Sequence, residues 1–416
     1  MPLYACNALL AMGLLCVGAA GAEVFTREQA VHMALKRNPY IQAARQEWKA
    51  MQAQATQARA LPAPEAEVEW EGLPGAASLG DFEERNLGFR QQIGWPVEWW
   101  RHKQAADLEA ESVRWSTLAM AELDIATEVR MAYDRVLSRY QVLAYEQENV
   151  RLTQDFVDKA RLRFEAGDVP HLEVLRARVE VGRAAARLVA AENALREARG
   201  VLNTLMARDT ELAIETVGEL AYRPVGLDLH QLKRQALARR PDVLGAERLA
   251  SARRATQGAV SASLVPDLNV GLFRQRVRQP AGDESLWRVE MGLEIPLWAP
   301  FRQRGELAEA RAEVVRAEAE MDVVRRQVLL EVENALGDVH TAARLVELFQ
   351  QDVLREAEQA RVVANRSYEE GKATYLEVLE AHRALAETQL EYAQTLLDFS
   401  VARTELERAV GGSLAD

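Results

Sequence analysis

Long stretches of this chain repeat apolar residues at the spacing of a helix. In one stretch they return every seven residues, at Val129, Val136, Leu143, Val150 and Val157. In a later stretch, from Val328 to Val353, the steps alternate between four and three. Such seams are typical of left-handed coiled coils. They predict an unbroken helix over about residues 101–165, which would be roughly 100 Å long and could not fit in a globular core.

A second pattern alternates apolar and polar residues and predicts β-strands. In residues 65–71, Ala66, Val68 and Trp70 alternate with glutamates. Near position 290, Arg288, Glu290, Gly292 and Glu294 alternate with apolar residues, which are Val289, Met291, Leu293 and Ile295. The pattern predicts one strand pair over 65–97 and another over 267–297, and each pair is joined by a loop that contains glycine and acidic residues.

These four strands are about ten residues long, which is enough to cross a bilayer when tilted as in a barrel wall. From alternation alone, a soluble four-stranded sheet packed on helices fits equally well. Tryptophan favours the membrane reading, because amphipathic rings concentrate at membrane interfaces and most tryptophans lie on or beside the strands, at Trp70, Trp95, Trp99, Trp100, Trp287 and Trp298. Four strands cannot close a barrel, so several chains would have to combine theirs.

The chain is also duplicated. Residues 164–177 return as residues 368–381, so that Gly167 corresponds to Gly371 at an offset of 371 − 167 = 204. The duplication predicts a first repeat at 23–208, a linker at 209–228 and a second repeat at 229–411. Each repeat contains short helices (27–37 and 41–60; 230–240 and 242–261), a strand pair, a long helix, a hairpin tip (166–171 and 370–375) and a returning helix (172–207 and 376–410). Neither unit could bury its apolar face alone, so the copies must stack.

The N-terminus predicts a signal peptide over residues 1–22. An apolar run from Ala8 to Val17, too short to span a bilayer, is followed by Ala20-Gly-Ala22. Both cysteines, Cys6 and Cys16, lie inside this segment, so the mature chain would have no disulfide and no thiolate site. Cys16 is a poor lipidation site, because leucines precede it where small residues are expected.

Charge and motifs exclude several functions. The formal net charge of −12 argues against nucleic acid as a partner, since no basic face is available to neutralise phosphates. The six histidines are scattered without metal-ligand spacing, and no catalytic motif is present. We therefore expect no enzyme activity, no cofactor and no metal centre.

The duplicated helix–strand–strand–helix layout and the two tips, 164–177 and 368–381, resemble the TolC family of outer-membrane efflux proteins of Gram-negative bacteria. The resemblance implies a mainly α protein with a small β part. It implies a homotrimer whose twelve transmembrane strands form one barrel in outer-membrane lipid, continued by a periplasmic barrel of long coiled-coil helices. The expected partners are a periplasmic adaptor (membrane fusion protein) and an inner-membrane pump of the RND type. The short C-terminus after Gly411 is similar to that of the heavy-metal branch.

The resemblance also assigns roles at the tips. Glu377 and Glu380, three residues apart on one helix face, match the family's acidic aperture ring, and Glu173 and Tyr368 match neighbouring gate residues. The family's gate arginine falls at Ala373, next to Lys372. The tips would dock the adaptor through Gly167, Asp168, Val169, Gly371, Lys372 and Ala373. The simpler alternative for Glu377 and Glu380 is a pair of solvated helix glutamates.

Two functions compete at this stage. One is a passive duct that exports metal cations or small toxic compounds across the outer membrane. The other is a periplasmic coiled-coil adaptor or structural protein, which would share the helical seams but would lack a membrane barrel.

Overall fold

The computed structural model describes residues 23–75, 79–80, 82–224, 226–263, 265–280, 282–294 and 299–414, with backbone alone at 299–303. The predicted signal peptide (1–22) lies outside the described residues, as does Ile295. The architecture is mainly helical with a small β part, as the sequence predicts.

The first repeat begins with two short helices separated by a proline. Pro39 is the first residue of its helix, where a missing N–H is harmless, and Asn38 caps that helix by accepting a hydrogen bond from the Tyr40 N–H at 2.9 Å. The elements of this repeat are β1 (Glu23–Phe25), α1 (Arg27–Arg37), α2 (Pro39–Gln57), β2 (Glu65–Glu71), β3 (Glu84–Ile93), α3 (Pro96–Val113), α4 (Met120–Glu165) and α5 (His171–Leu205).

The second repeat has the same order of elements. They are β4 (Ile214–Thr216), α6 (Leu229–Arg239), α7 (Pro241–Ala262), β5 (Asp267–Val277), β6 (Glu284–Glu294), α8 (Ala299–Leu348), α9 (Leu354–Glu369) and α10 (Tyr375–Val410). In both repeats the long helix contains one π-helical turn, over Arg114–Ala119 and over Phe349–Val353. The long helices are continuous through these turns, as their seams predict.

The apolar seams form the helical core. Val129 and Val136 of α4 are fully buried in a cluster with α1 and α5, and Val328 and Val332 of α8 are fully buried in the equivalent cluster with α6 and α10. The two repeats then stack, because α10 packs against α4 as well as α8. Side-by-side stacking of the duplicated units is therefore confirmed.

One prediction about the β segments was wrong, and one short strand was missed. The first strand pair does not extend to residue 97: β3 ends at Ile93, and α3 begins at Pro96, whose fixed φ suits the first helical position. The sequence analysis missed a short strand in the linker, β4, which pairs in parallel with β1. The Tyr133 hydroxyl fixes this pair by donating to the Phe25 carbonyl at 2.8 Å and accepting from the Val217 N–H at 2.8 Å.

The remaining strands form one antiparallel sheet in the order β2-β3-β5-β6. The hairpin of each repeat contributes two strands, and β3 pairs with β5 across the repeats. Within the described part of the chain, β2 and β6 each have one edge without a strand partner. An unpaired edge presents free backbone groups, so this sheet is one segment of a larger structure or must be covered.

Candidate functional site

The first hairpin tip is built by a glycine in the left-handed region. After α4, Gly167 has φ +86°, and its N–H donates to the Phe164 carbonyl at 3.0 Å. The Asp168 N–H donates to the Arg163 carbonyl at 2.9 Å, which completes a Schellman-type helix end. Pro170 then precedes the first residue of α5.

The second tip repeats this geometry and adds a stronger helix start. Gly371 has φ +74°, and the Lys372 N–H donates to the Ser367 carbonyl at 2.7 Å. Thr374 and Glu377 form a capping box at the start of α10: the Thr374 N–H donates to the Glu377 carboxylate at 2.7 Å, and the Glu377 N–H donates back to the Thr374 hydroxyl at 3.4 Å. Both predicted hairpin turns are present.

Tyr368 joins the two tips. Its side chain is 2% exposed, and its hydroxyl donates to the Glu173 carboxylate of the other tip at 3.2 Å. Arg163 donates to the Tyr368 carbonyl at 2.9 Å, and its guanidinium lies 4.5 Å from the Tyr368 ring centroid. Burial, followed by the nearby Glu173 carboxylate, raises the pKa of Tyr368 to about 12, so the phenol remains a hydrogen-bond donor at neutral pH.

An apolar cluster lies beneath this contact. It draws side chains from all four helices of the tips, and its buried members are Phe156, Val157, Ala160, Val174, Ala177, Tyr368, Tyr375 and Val378. Ion pairs bridge the repeats on either side, with Lys159 to Glu369 at 2.5 Å and Arg383 to the buried Glu180 at 2.5 Å. The two tips therefore form one packed unit.

His382 is a buried histidine of this unit. Its ring is 2.9 Å from the Asn365 side-chain oxygen and packs against Phe156, with centroids 5.9 Å apart. Burial, and then the positive charges of Arg361 and Lys159, lower the pKa of His382 to about 4, against a smaller opposing effect of Glu358. The folded tips therefore stabilise the neutral imidazole over the protonated form.

We expect acid to loosen the tips through His382. A lowered pKa makes a contribution to stability that is complete above the unfolded pKa of 6.5 and is lost as pH falls toward the folded value of about 4. Hydrogen exchange of α9 and α10, corrected for its intrinsic pH dependence, should therefore be faster at pH 5 than at pH 7. A His382→Gln variant should show a smaller pH difference; an unchanged difference would exclude His382 as the cause.

The predicted aperture glutamates lie in the first turns of α10. Glu377 is exposed, and the hydrogen bond that its carboxylate accepts from the Thr374 N–H lowers its pKa. Glu377 therefore caps the helix and also carries a negative charge. Glu380 is exposed one turn later. Within one chain, neither residue approaches the Tyr368–Glu173 contact closely enough to share a hydrogen bond with it.

The predicted docking residues divide into two groups. Gly167, Asp168, Gly371 and Lys372 are exposed, and Lys372 pairs with Glu370 at 2.7 Å. Val169 and Ala373 are half-buried, and Ala373 packs against the apolar cluster. The sequence analysis missed the exposed apolar side chains that surround the tips, namely Leu162, Phe164, Leu172, Leu175 and Leu376. Large apolar residues grouped on a surface mark an interaction site. In the sequence, the leucines among them fall outside the heptad spacing of the buried seam, and that mismatch could have identified them as exposed.

The sheet has an apolar face and a charged face, in the register that the alternation predicts. The pairing Leu272↔Val289, Val270↔Met291 and Leu268↔Leu293 places these residues on the apolar face, together with Val68, Leu87 and Phe89. Val289, Met291 and Leu293 are 65%, 74% and 65% exposed. Such an apolar surface requires a cover outside the single chain.

The charged face is dominated by carboxylates. They come from all four strands, and they are Glu65, Glu67, Glu69, Glu71, Glu84, Asp267, Glu284, Glu290 and Glu294. The arginines on this face of the described strands are Arg90 and Arg288. Arg90 pairs with Glu67 at 3.1 Å and with Glu290 at 3.3 Å.

An aromatic residue interrupts the charged face, which the sequence analysis missed. Phe273 is 1% exposed, lies between Arg90 and Arg288, and covers Gly88 and Gly271. A Cβ at either glycine would come within 2.6 Å of the Phe273 ring, so glycine is required at both positions. Phe273 fills the hollow that the two glycines leave.

In the described part of the chain, no three His, Cys, Asp or Glu side chains are grouped so that they could hold a metal ion. Across the same residues, no helix combines the length and the apolar character needed to cross a membrane.

Comparison with known proteins identifies the family. The sequence matches the outer membrane efflux protein family over residues 30–208 and 232–412, which correspond to the two repeats. It is 26% identical to the cobalt-zinc-cadmium resistance protein CzcC of Cupriavidus metallidurans, covering 93% of this chain and 90% of that one. It is 27% identical to the pyoverdine export outer membrane protein OpmQ of Pseudomonas aeruginosa, covering 76% of this chain and 68% of that one.

The fold agrees with that of a solved channel protein. The crystal structure of the channel CusC superposes with a TM-score of 0.77 at 19% identity, covering 93% of this chain and 92% of that chain. The resemblance to TolC-type efflux proteins is thereby confirmed, and the comparisons give no support to a periplasmic adaptor. The chain belongs to the outer membrane efflux protein family, a family of transport channels, and is an efflux protein of the outer membrane.

Proposed function

We propose that three copies of this chain form a passive duct whose twelve strands close into one barrel in the outer membrane. The observation that carries the proposal is the four-stranded sheet, which has open edges, an apolar face exposed in the single chain and a charged face opposite. In lipid every backbone group must be paired, so the edges at β2 and β6 must meet those of other copies. Val289, Met291, Leu293 and Ile295 then face lipid, and the carboxylates line the lumen.

In the proposed duct the tips lie at the periplasmic end of the long helices, and the sheet lies at the other end. There the exposed turns around Gly167, Asp168 and Val169, and around Gly371, Lys372 and Ala373, dock a periplasmic adaptor that links the duct to an RND-type inner-membrane pump. The exposed leucines beside the turns supply apolar contact area. The duct itself has no energy source, so transport is driven by the pump.

The proposed cargo is a metal cation. The carboxylates of the charged face outnumber its arginines, which lowers the energy of cations in the lumen. Similarity to the cobalt-zinc-cadmium resistance protein agrees with this choice, whereas similarity at the same level to a pyoverdine exporter favours an organic cargo. Loss of the gene should increase sensitivity to zinc, cobalt or cadmium salts. Unchanged metal sensitivity with increased sensitivity to organic toxins would favour the second cargo class.

Gly371→Val should impair efflux without preventing assembly. Valine resists the positive φ of this turn, so the docking surface is displaced, whereas the sheet lies at the other end of the helices. Efflux of the cargo from whole cells, and the amount of assembled protein in outer membranes, should be measured together. The matched control is Gly337→Val, because Gly337 lies in α8 with open space where a side chain would go. Full efflux by the Gly371 variant would exclude this tip from docking.

The pair Glu377→Gln and Glu380→Gln should reduce the cation preference of single channels. Three chains would bring six of these carboxylates to the narrow end, where they attract cations, and salt should weaken the effect. Glutamine also serves at the third position of a capping box, so the start of α10 is preserved while charge is removed.

The control for this pair is Glu192→Gln with Glu197→Gln, two exposed glutamates on α5. If the Glu377/Glu380 variant kept its ion selectivity and its block by multivalent cations, these residues would be ordinary solvated glutamates with no role in the aperture. An equal change in the control would assign selectivity to overall charge rather than to the tips.

A further inference from the structure

The apolar face of the sheet becomes basic at one end. The strand register places Arg85 directly opposite Arg276, and places Arg274 opposite Leu87 on one side and Trp287 on the other. These three arginines lie on the same face as Leu272, Val289 and Met291, at the end that carries the strand-connecting loops. We call Arg85, Arg274 and Arg276 the arginine cluster.

Aromatic rings lie against two of these three guanidinium groups. Arg85 lies 5.3 Å from the ring centroid of Phe82, and Arg278, in the loop after β5, lies 5.0 Å from the same ring. Phe82 is only 7% exposed between them. Arg274 lies 5.9 Å from the Trp287 ring. Stacking fixes a guanidinium plane while leaving its N–H donors free for a planar or tetrahedral anion.

Among the residues that the structure describes, carboxylates compensate only part of the cluster's positive charge. Arg276 pairs with Asp283 at 2.8 Å, and Asp283 is also 3.9 Å from Arg278, which donates to the Gly80 carbonyl at 3.0 Å. Among the described residues, Arg85 and Arg274 have no carboxylate within ion-pair distance. Like charges directly opposite each other on neighbouring strands are destabilising. Asp283 neutralises Arg276 but not Arg85 or Arg274, so a further anion beside these two arginines would stabilise the cluster.

We propose that the arginine cluster binds the phosphate groups of lipid A in the outer leaflet of the outer membrane. The inference rests on the proposed barrel, which puts the strand-connecting loops on the side away from the helices and hence outside the cell. Trp70, opposite Arg85, and Trp287 mark the membrane interface at this level. Arginine pairs with phosphate through two parallel hydrogen bonds, and basic clusters at an interface recruit phosphorylated headgroups.

A lipid fits this surface better than free phosphate. The cluster is continuous with exposed apolar residues of the same face, including Leu87, Leu272 and Val289, along which acyl chains would lie. One molecule could then place its phosphates on the arginines and its chains on the sheet. An inorganic anion would use only the first of these contacts.

The test measures how much lipid A stays bound to wild-type and variant protein. The assembled protein is extracted from outer membranes and reconstituted in phosphatidylcholine that contains the lipid to be tested. Native mass spectrometry would count bound diphosphorylated lipid A, and the same lipid without its phosphates serves as a second probe. The variant Arg85→Gln/Arg274→Gln/Arg276→Gln should weaken lipid A binding by about 100-fold. Each basic residue near a charged headgroup contributes about fivefold to the affinity, and three such factors are multiplied. Wild-type protein should prefer lipid A over its dephosphorylated form by a similar factor.

The matched control is Arg151→Gln/Arg316→Gln/Arg355→Gln, which removes the same charge from exposed helix positions and should leave lipid A binding unchanged. Equal retention of both lipids by wild-type protein, or displacement of lipid A by equimolar inorganic phosphate, would overturn the inference. Those outcomes leave the barrel intact. Failure of the wild-type protein to be found in outer membranes at all would instead overturn the proposed function.

Discussion

Replacing Leu293 by Arg should remove most of the assembled protein from the outer membrane. Leu293 lies on the apolar face of β6, opposite Leu268, and is 65% exposed in the single chain. In the proposed barrel it faces lipid, where an arginine near the bilayer midplane costs about 2–4 kcal/mol. Three copies would carry three such substitutions, so the cost is multiplied in the assembly. Folded, heat-modifiable protein in purified outer membranes is the quantity to measure.

The adjacent residue provides the control for this register. Glu294 lies on the charged face, opposite Asp267, so Glu294→Gln should leave the amount of assembled protein nearly unchanged. Equal loss in both variants would mean that the two faces are not distinguished by lipid. Equal tolerance of both variants would mean that β6 does not lie in the membrane.

Tyr368→Ala should loosen the paired tips more than any other single change there. The substitution empties a fully packed site among Phe156, Val174 and Tyr375, and truncating a buried aromatic residue to alanine costs about 3–5 kcal/mol. It also removes the ring against which Arg163 packs and the hydroxyl that donates a hydrogen bond to Glu173. Hydrogen exchange of α9 and the start of α10 should accelerate strongly, while exchange near Val129 should not change.

Tyr368→Phe separates packing from hydrogen bonding. It keeps the ring and removes only the hydrogen bond to the Glu173 carboxylate, so the expected cost is about 1.5–3 kcal/mol, the range for a hydrogen bond to a charged group. If the phenylalanine variant loosened the tips as much as the alanine variant, the polar contact would carry the stability. If the alanine variant exchanged at the wild-type rate, Tyr368 would not hold the two tips together.

The long helices and the tips could be predicted because their signals are local and repeated. The seam that contains Val129 and Val136 gives the buried face of α4, and the glycine of each tip marks a positive φ that other residues resist. The alternation around Leu293 gives both faces of β6, because the side-chain period of a strand is two. Duplication then supplies each signal twice.

Other features depend on contacts between segments that are distant in sequence. β1 and β4 have three residues each, too few to show alternation, and they exist because Tyr133 and the parallel pairing bring them together. The stacking of Arg85 and Arg278 on Phe82 depends on strand register. The aperture role of Glu377 and Glu380 was inferred from resemblance and stays a prediction, since the structure of one chain shows a helix cap there.

The native mass of the protein extracted from outer membranes tests the central claim most directly. The account predicts a complex of three chains, because twelve strands are needed to pair the open edges of β2 and β6 in one closed barrel. A single chain, or protein recovered only in the soluble periplasmic fraction, would contradict the trimeric duct.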